Sequence, residues 1–268
     1  MIATSGYATQ GQDGPGKLAL AGIAIEKGHY PFKNYRHAHA QSVFFAGCNF
    51  PSLYPKTCKA LVKLLREQGI GTAYDCCGKP LTMMGRDADF KRICNGIAKR
   101  LTKRGCTELV CACPNCLYAL RGNIPQHVIS VYDKLNQLDV KSTTDADKAA
   151  SSNAVYFPPY PDRREGLIYA DASRYLPANT RMLQCAGPHG CSKGDACSGC
   201  KALPCCRQDL SGVIETSDSI ITACASCCGY LTAAGFKDVR LLLSDILGID
   251  EKPAMATSFI NRARTKLA

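Results

Sequence analysis

Three pairs of short segments repeat about 110 residues apart in this chain. The pairs are SVFFAGC at 42–48 with AVYFPPY at 154–160, DCCG at 75–78 with QCAG at 184–187, and ELVCACPNC at 108–116 with SIITACASC at 219–227. Landmarks that recur at a nearly constant offset indicate two structural units of the same kind. The chain is therefore expected to fold as a tandem repeat.

The pattern inside the first unit alternates strands with helices. Residues 55–68 are amphipathic, with a proline in the first turn and Gly69 at the end, which is typical of a helix. A short strand is predicted at 71–75 and a basic helix at 87–104. Strands and helices of these lengths predict βαβ units, so the fold class is α/β, with two tandem Rossmann-like units related by the internal repeat.

The same pattern predicts domain boundaries. A polar, strand-free stretch divides the two units and is expected to be a linker. Residues before the first unit belong to neither repeat, and they are expected to contain a short strand at 18–25. The predicted division is an N-terminal extension at 1–40, a first unit at 41–138, a linker at 139–153 and a second unit at 154–268 with an insertion at 188–206.

Eighteen cysteines are far more than a chain of 268 residues ordinarily carries. Neither a signal-peptide pattern nor an apolar run long enough to cross a bilayer is found near the N-terminus. This predicts a soluble chain in the cytoplasm, where closely spaced thiols more often bind metal than form disulfides.

The net charge of +11 is compatible with nucleic acid or with an acidic protein partner. The basic residues follow the predicted helix at 87–104, and no aromatic-interleaved basic run accompanies them. We therefore expect no nucleic-acid partner. The basic helix face is either a solvated surface or a docking face for an acidic protein.

Five cysteines of the first unit form the pattern C-x27-C-C-G-x34-C-x-x-C. Each follows the carboxyl end of a predicted strand, and ligands bind at that edge of an open α/β sheet. The side chains of adjacent cysteines point in different directions. If both of them bind metal, they suit a group of several metal ions better than a single ion. Five thiols also exceed the four that a structural zinc takes. The five residues are Cys48, Cys76, Cys77, Cys113 and Cys116.

This pattern resembles the cysteine-rich CCG domain family, whose members include one subunit each of heterodisulfide reductase, of some succinate dehydrogenases (the E-type) and of anaerobic glycerol-3-phosphate dehydrogenase. The resemblance covers 42–120 well and 154–247 less well. It implies that the five cysteines bind a noncubane 4Fe-4S cluster, with clusters at the carboxyl edges of the strands. The vicinal pair would then bridge a multi-iron group.

The second unit departs from the family pattern. Tyr160 stands where the first cysteine is expected, and Ala186 replaces one member of the vicinal pair. Cys185, Cys224 and Cys227 remain as direct matches. The insertion supplies further candidate metal ligands, so a second 4Fe-4S cluster and a zinc ion both stay open. These further candidates are Cys191, Cys197, Cys200, Cys205 and Cys206.

Other thiols are predicted not to be ligands. Cys58, Cys94 and Cys106 lie on or at the ends of predicted helices, away from the converging edge. Cys111 alternates with Cys113 along a strand, so it should face the other way.

Three functions remain open for such a chain: an electron-transfer subunit of a larger oxidoreductase, a catalytic disulfide reductase, and a metal-stabilised scaffold. The chain has no glycine-rich nucleotide fingerprint, so it is expected to need flavin- or iron–sulfur-containing partner subunits. One of these partners could lie at the membrane, which would place the chain on its inner face. The degenerate second unit favours electron transfer, because the family's disulfide chemistry uses two similar clusters.

Overall fold

The computed structural model describes residues 17–82, 84–143, 154–183 and 219–268. Their strands are Asn34–His37 (β1), Ser42–Phe45 (β2), Gly71–Tyr74 (β3), Glu108–Cys111 (β4), His127–Ser130 (β5), Ala154–Tyr156 (β6), Arg181–Met182 (β7), Ser219–Thr222 (β8) and Val239–Leu241 (β9). Their helices are Lys17–Gly28 (α1), Phe50–Leu53 (α2), Pro55–Glu67 (α3), Lys79–Thr82 (α4), Asp87–Thr102 (α5), Pro114–Leu120 (α6), Val131–Gln137 (α7), Leu167–Ala172 (α8), Ala225–Ala233 (α9), Leu242–Ile246 (α10) and Ser258–Arg264 (α11). Two 3₁₀ helices cover Tyr160–Asp162 and Ser173–Tyr175.

The strands form two sheets with matching topology. The first sheet has the order β1-β3-β2-β4-β5 and the second has the order β7-β6-β8-β9. All neighbours are parallel except β1, which pairs antiparallel with β3. Without β1 the two orders match strand for strand, because β3, β2, β4 and β5 correspond to β7, β6, β8 and β9. The α/β class and the two repeated units are therefore confirmed.

Helix α3 shows how the apolar pattern positions an element. Leu61 and Leu65 are fully buried, while Lys63 on the opposite face is exposed. Pro55 occupies the first turn, where its missing N–H group needs no partner. Gly69 adopts a positive φ of 73° directly after the helix, as a helix-ending glycine does. The predicted helix is thus confirmed to within a residue.

The N-terminal segment contains a helix where a strand was expected. The strand predicted at 18–25 is wrong, since these residues lie within α1. A short apolar run does not distinguish a strand from a helix, and the sheet edge beside β3 is occupied by β1. Residues 17–40 thus contribute a helix and an edge strand to the first unit.

Side chains of the two units are hydrogen-bonded to each other in two places. At one end, the hydroxyl groups of Thr57 and Ser244 lie 2.9 Å apart, and Glu251 accepts hydrogen bonds from the first turn of α3. At the other end, the Tyr118 hydroxyl donates to Asp162 over 2.6 Å. The buried apolar residues form one main cluster that continues through both units. The two sheets therefore share a common core.

The predicted domain boundaries stay predictions, because most of the proposed linker, 144–153, lies outside the described residues. Within the described ranges, no helix is long and apolar enough to span a membrane.

Candidate iron–sulfur site

The first unit gathers its five candidate ligands at one edge of its sheet. Cys48 follows β2, Cys76 and Cys77 follow β3, and Cys113 follows β4, with Cys116 one turn into α6. Because β2, β3 and β4 are adjacent and parallel, their carboxyl ends meet at the same edge. The expected convergence at this edge is therefore present.

Cys48 and Cys76 form one pair within this group. The Cys76 thiol donates a hydrogen bond to Cys48, and this bond is the main cause of a lowered Cys48 pKa. Burial acts in the opposite direction, and the ammonium group of Lys27 adds to the lowering from 3.9 Å away. The pKa of Cys76 is raised by the same hydrogen bond and by burial. The pair therefore favours one thiolate and one thiol.

Lys27 places a positive charge beside this pair. Burial alone would lower its pKa, but the charges of Cys48, Cys76 and Glu26 together raise it above its ordinary value. The ammonium group is thus protonated at neutral pH. It offsets negative charge where several thiolates would collect around a metal centre.

Cys77, Cys113 and Cys116 form the second part of the group. The Cys116 thiol is hydrogen-bonded to Cys113 and to Cys77, and these contacts with burial raise its pKa. Gly47 joins the two parts, because a Cβ atom there would lie only 3.2 Å from Sγ of Cys116. Its φ of 71° also lies in the region that favours glycine.

The five thiols fit an iron–sulfur cluster in their chemistry. Each lies close to another thiol of the group, and Cys48 and Cys113 are half-buried. Thiolates are the usual ligands of iron–sulfur clusters. Among the described residues, no three histidine, cysteine or carboxylate side chains form a group suited to a single metal ion.

Two segments distant in sequence cover the Cys48–Cys76 pair. Tyr30 and Phe32, which follow α1, form a buried cluster with Cys76, and Ala263 of α11 packs against it. Arg262 of α11 forms an ion pair with Glu26 of α1. Asn34 donates hydrogen bonds to the carbonyl oxygens of the residues after α11. This cover had no signal in the sequence, because it depends on contacts more than 200 residues apart.

Asp75 is a site residue that the sequence pattern also missed. Its buried carboxylate accepts hydrogen bonds of 2.8 Å from the Tyr35 hydroxyl and from the Cys76 N–H group. Burial raises its pKa to about 6, although both hydrogen bonds act to lower it. Asp75 therefore fixes the backbone at the start of the vicinal pair.

Gly78 follows the vicinal pair and packs closely against α5. A Cβ atom at this position would lie 2.9 Å from Cδ1 of Ile93. Its φ is 77°. The glycine thus permits close packing of the vicinal pair against α5.

Two thiols that the sequence placed away from the edge lie near it. The Cys111 and Cys94 thiols are buried, and their raised pKa values arise first from burial and then from the charge of Cys77. Alternation along β4 therefore did not exclude Cys111 from the surroundings of the site. Cys106 lies at the opposite edge, just before β4, where its thiol donates to the Glu108 carbonyl oxygen.

The second unit brings Cys224 and Cys227 together in the corresponding place. Cys224 is the N-cap of α9, and its sulfur accepts a hydrogen bond from the Cys227 N–H group over 3.3 Å. A hydrogen bond with Cys227 and burial raise the pKa of Cys224. Cys228 lies one residue further, beside the Tyr54 hydroxyl of the first unit.

The two thiol-bearing edges are in contact. The Asn49 side chain, directly after Cys48, donates to the hydroxyl of Ser226 over 2.9 Å. Tyr160 begins a 3₁₀ helix at the position that corresponds to Cys48. Ala186 and the remaining candidate ligands lie outside the described residues; these ligands are Cys185, Cys191, Cys197, Cys200, Cys205 and Cys206.

Comparison with known structures gives weak likenesses, two of which are to an aspartate racemase homologue and an aspartate racemase. An aspartate racemase homologue from Pyrococcus horikoshii OT3 is 10% identical, with a TM-score of 0.35, covering 78% of this chain and 96% of its own. An aspartate racemase from Picrophilus torridus is 11% identical, with a TM-score of 0.37, covering 83% and 98%. At TM-scores this low, neither likeness supports an argument about activity.

Comparison of sequences gives a partial match. No curated protein matches the chain. The family model of the cysteine-rich domain named CCG matches residues 42–121, the stretch from β2 through α6 that carries all five converging thiols. Residues 42–121 are therefore a CCG cysteine-rich domain, a kind of domain found in iron–sulfur oxidoreductase subunits.

Proposed function

We propose that this chain is an iron–sulfur electron-transfer subunit of a multisubunit oxidoreductase, with a noncubane 4Fe-4S cluster held by the CCG domain. The observation that carries the proposal is the gathering of five thiols at one edge of a parallel sheet. When bound, an iron–sulfur cluster accepts and donates single electrons. The ligands would be Cys48, Cys76, Cys77, Cys113 and Cys116.

The surrounding residues support this role. Lys27 supplies positive charge beside Cys48, which reduces the repulsion among thiolates. Asp75 holds the backbone at Cys76, and Gly47 lets the loop before Cys48 come close to Cys116. The cover formed by α11 and the residues after α1 shields Cys76 from water. The chain's own residues thus bind, orient and protect the site, while flavin- or iron–sulfur-containing subunits would supply and remove electrons.

The proposal is tested by anaerobic purification followed by iron and zinc counts and electron paramagnetic resonance. The CCG domain should bind about four irons, and Cys77→Ser should remove or distort the cluster. Cys106→Ser is the matched control, because Cys106 is also a buried thiol of this sheet but lies at the opposite edge. Equal iron content and equal spectra in the parent and Cys77→Ser would show that the assignment is wrong.

A second metal centre in the C-terminal unit is part of the proposal. The contact between Cys224 and Cys227 supplies two adjacent ligands at the start of α9. The insertion would supply the others, for either a second 4Fe-4S cluster or zinc. Metal in excess of about four irons, lost from a variant with Cys224→Ser and Cys227→Ser, is the expected result.

Catalytic disulfide reduction is the second candidate function. The hydrogen bond between Asn49 and Ser226 favours it, because this contact brings both thiol-bearing edges together. Tyr160 at the position of a ligand counts against it. Electron transfer is therefore the better supported function.

A further inference from the structure

The exposed apolar side chains are concentrated in one part of the molecule. Among the described residues, every large apolar side chain that is exposed lies on α1 or between residues 255 and 267, with exposed fractions from 38% to 81%. A concentration of exposed apolar side chains marks an interaction site. The residues are Ile25, Met255, Phe259, Ile260 and Leu267, and we call this surface the α1–α11 face.

Contacts between the two helices make the α1–α11 face one surface. Arg262 joins α11 to Glu26, and Lys266 donates to the Pro31 carbonyl oxygen over 3.0 Å. The ring of Phe259 lies edge-on to the ring of Phe32, with centroids 5.4 Å apart. The exposed residues are therefore held in place by the same contacts that cover the thiol pair.

The α1–α11 face lies next to Cys76, one of the proposed ligands. Phe32 packs in the same buried cluster as Cys76, and Phe259 contacts Phe32. A molecule bound at Phe259 would thus be separated from the Cys76 side chain by a single aromatic residue. Docking at this place would shorten the path for an electron.

The charge around the α1–α11 face is positive. Residues 255–268 contain three basic residues and no acidic residue, and Arg264 and Lys266 among them are exposed. The acidic Glu26 nearby is paired with Lys27 and Arg262. Such a surface attracts an acidic partner and repels a second copy of this chain, whose net charge is +11.

We propose that the α1–α11 face docks an acidic electron-carrier protein of the flavin or iron–sulfur class, directly over the Cys48–Cys76 pair. This inference rests on the proposed function. One electron leaves the reduced carrier and arrives at the iron–sulfur centre, so that the carrier is oxidised, the centre is reduced, and no covalent bond changes.

The test uses the iron-loaded chain and a flavodoxin, an acidic flavoprotein, as the probe. Binding is measured calorimetrically at low ionic strength, and reduction of the chain by flavodoxin hydroquinone is followed by stopped flow. Ile260→Ser with Leu267→Ser removes exposed apolar surface, and Arg264→Glu with Lys266→Glu reverses charge. Each double variant should weaken binding at least about tenfold and slow electron transfer, and added salt should weaken binding by the parent.

The matched control is Lys99→Glu with Lys103→Glu, in and directly after the last turn of α5, which changes net charge equally at exposed positions of the other basic surface. This control should keep the binding constant of the parent. Equal weakening by both charge-reversed variants would show that net charge alone acts, and would overturn the proposal. Failure of the parent to bind flavodoxin would also overturn it.

Two further measurements test whether the face binds a second copy of this chain or a membrane instead of an electron carrier. A dimer in light scattering that the Ile260→Ser and Leu267→Ser variant abolishes would assign the face to a second copy. Binding to phosphatidylglycerol vesicles, without binding to flavodoxin, would assign it to a membrane; either result overturns the proposal. Iron counts and reduction by dithionite are recorded for every variant, so loss of the cluster, which refutes the proposed function, is separated from loss of docking.

Discussion

Single residues determine how the thiols of the CCG domain ionise and approach one another. Lys27 and Cys76 both favour a thiolate at Cys48. Gly47 permits close approach of the loop after β2 to Cys116. The five ligands could be proposed from their spacing, but Lys27 and Asp75 could not, because neither belongs to a motif and both act through the folded backbone.

The lowered pKa of Cys48 predicts how the metal-free chain reacts with an alkylating reagent. Because a lower pKa populates the thiolate at lower pH, Cys48 alkylation by iodoacetamide should rise through about pH 6, below the ordinary thiol value of ~8.5. Lys27→Met should move this midpoint upward, since a positive charge is lost, whereas Lys63→Met on the exposed face of α3 should not. Mass spectrometry of the Cys48 peptide gives the profile, and a midpoint near the ordinary value in the parent would contradict the structure.

A methyl group at Gly47 should disturb the metal site as well as the backbone. Gly47→Ala is expected to cost about 1–2 kcal/mol for its positive φ and also to crowd Sγ of Cys116, so iron content should fall. Gly122→Ala is the control, because Gly122 has a φ of 77° but open space around its Cβ position. Thermal unfolding and iron counts separate the two effects. Equal iron in both variants would show that Gly47 has no special relation to the site.

At the scale of helices and strands, the repeated landmarks predicted the sheet well. The strands that precede the cysteines were predicted, and so were helices α3 and α5. Their apolar periodicity can be read from a short stretch of sequence. The N-terminal helix and the position of α11 over the thiol pair were not predicted, because they depend on contacts with distant segments. That Cys111 is not a ligand stays a prediction, although the charge of Cys77 contributes to the raised pKa of the Cys111 thiol.

Helix α11 should depend on Asn34 for its position over the site. Asn34→Ala removes a buried donor to three carbonyl oxygens, at a cost of about 1–2 kcal/mol. We expect faster hydrogen exchange at 258–264 and faster release of iron to a chelator. Gln137→Ala, at an exposed position of α7, should change neither rate. Unchanged exchange in Asn34→Ala would mean that α11 is held by its other contacts.

At the scale of the whole molecule, the two units share one topology but have unequal sites. The first unit has all five thiols at its sheet edge, whereas the second has Tyr160 at the corresponding first position. The repeat was readable from sequence because its landmarks in the first unit lie in strands or directly after them. The contact between the thiol-bearing edges of the two sheets could not be read from sequence, because it is made by side chains such as Asn49 and Ser226.

This inequality predicts that the isolated chain transfers electrons but does not catalyse disulfide reduction. A small disulfide needs a second similar centre to take its other half, and the second unit lacks the corresponding ligand. The chemically reduced chain should therefore pass electrons to a protein acceptor but should not reduce glutathione disulfide. The release of thiol from glutathione disulfide is the measurement that checks this. Sustained, cluster-dependent thiol release would favour the reductase function instead.

The position of α11 also has a consequence for biosynthesis. Residues 258–264 leave the ribosome after every strand of both sheets, yet they complete the cover over Cys48 and Cys76. During synthesis the nascent chain can therefore form its first sheet while these two thiols are still open to solvent. If the proposed cluster is inserted during synthesis, this order of events would leave time for iron delivery before α11 docks and covers the site.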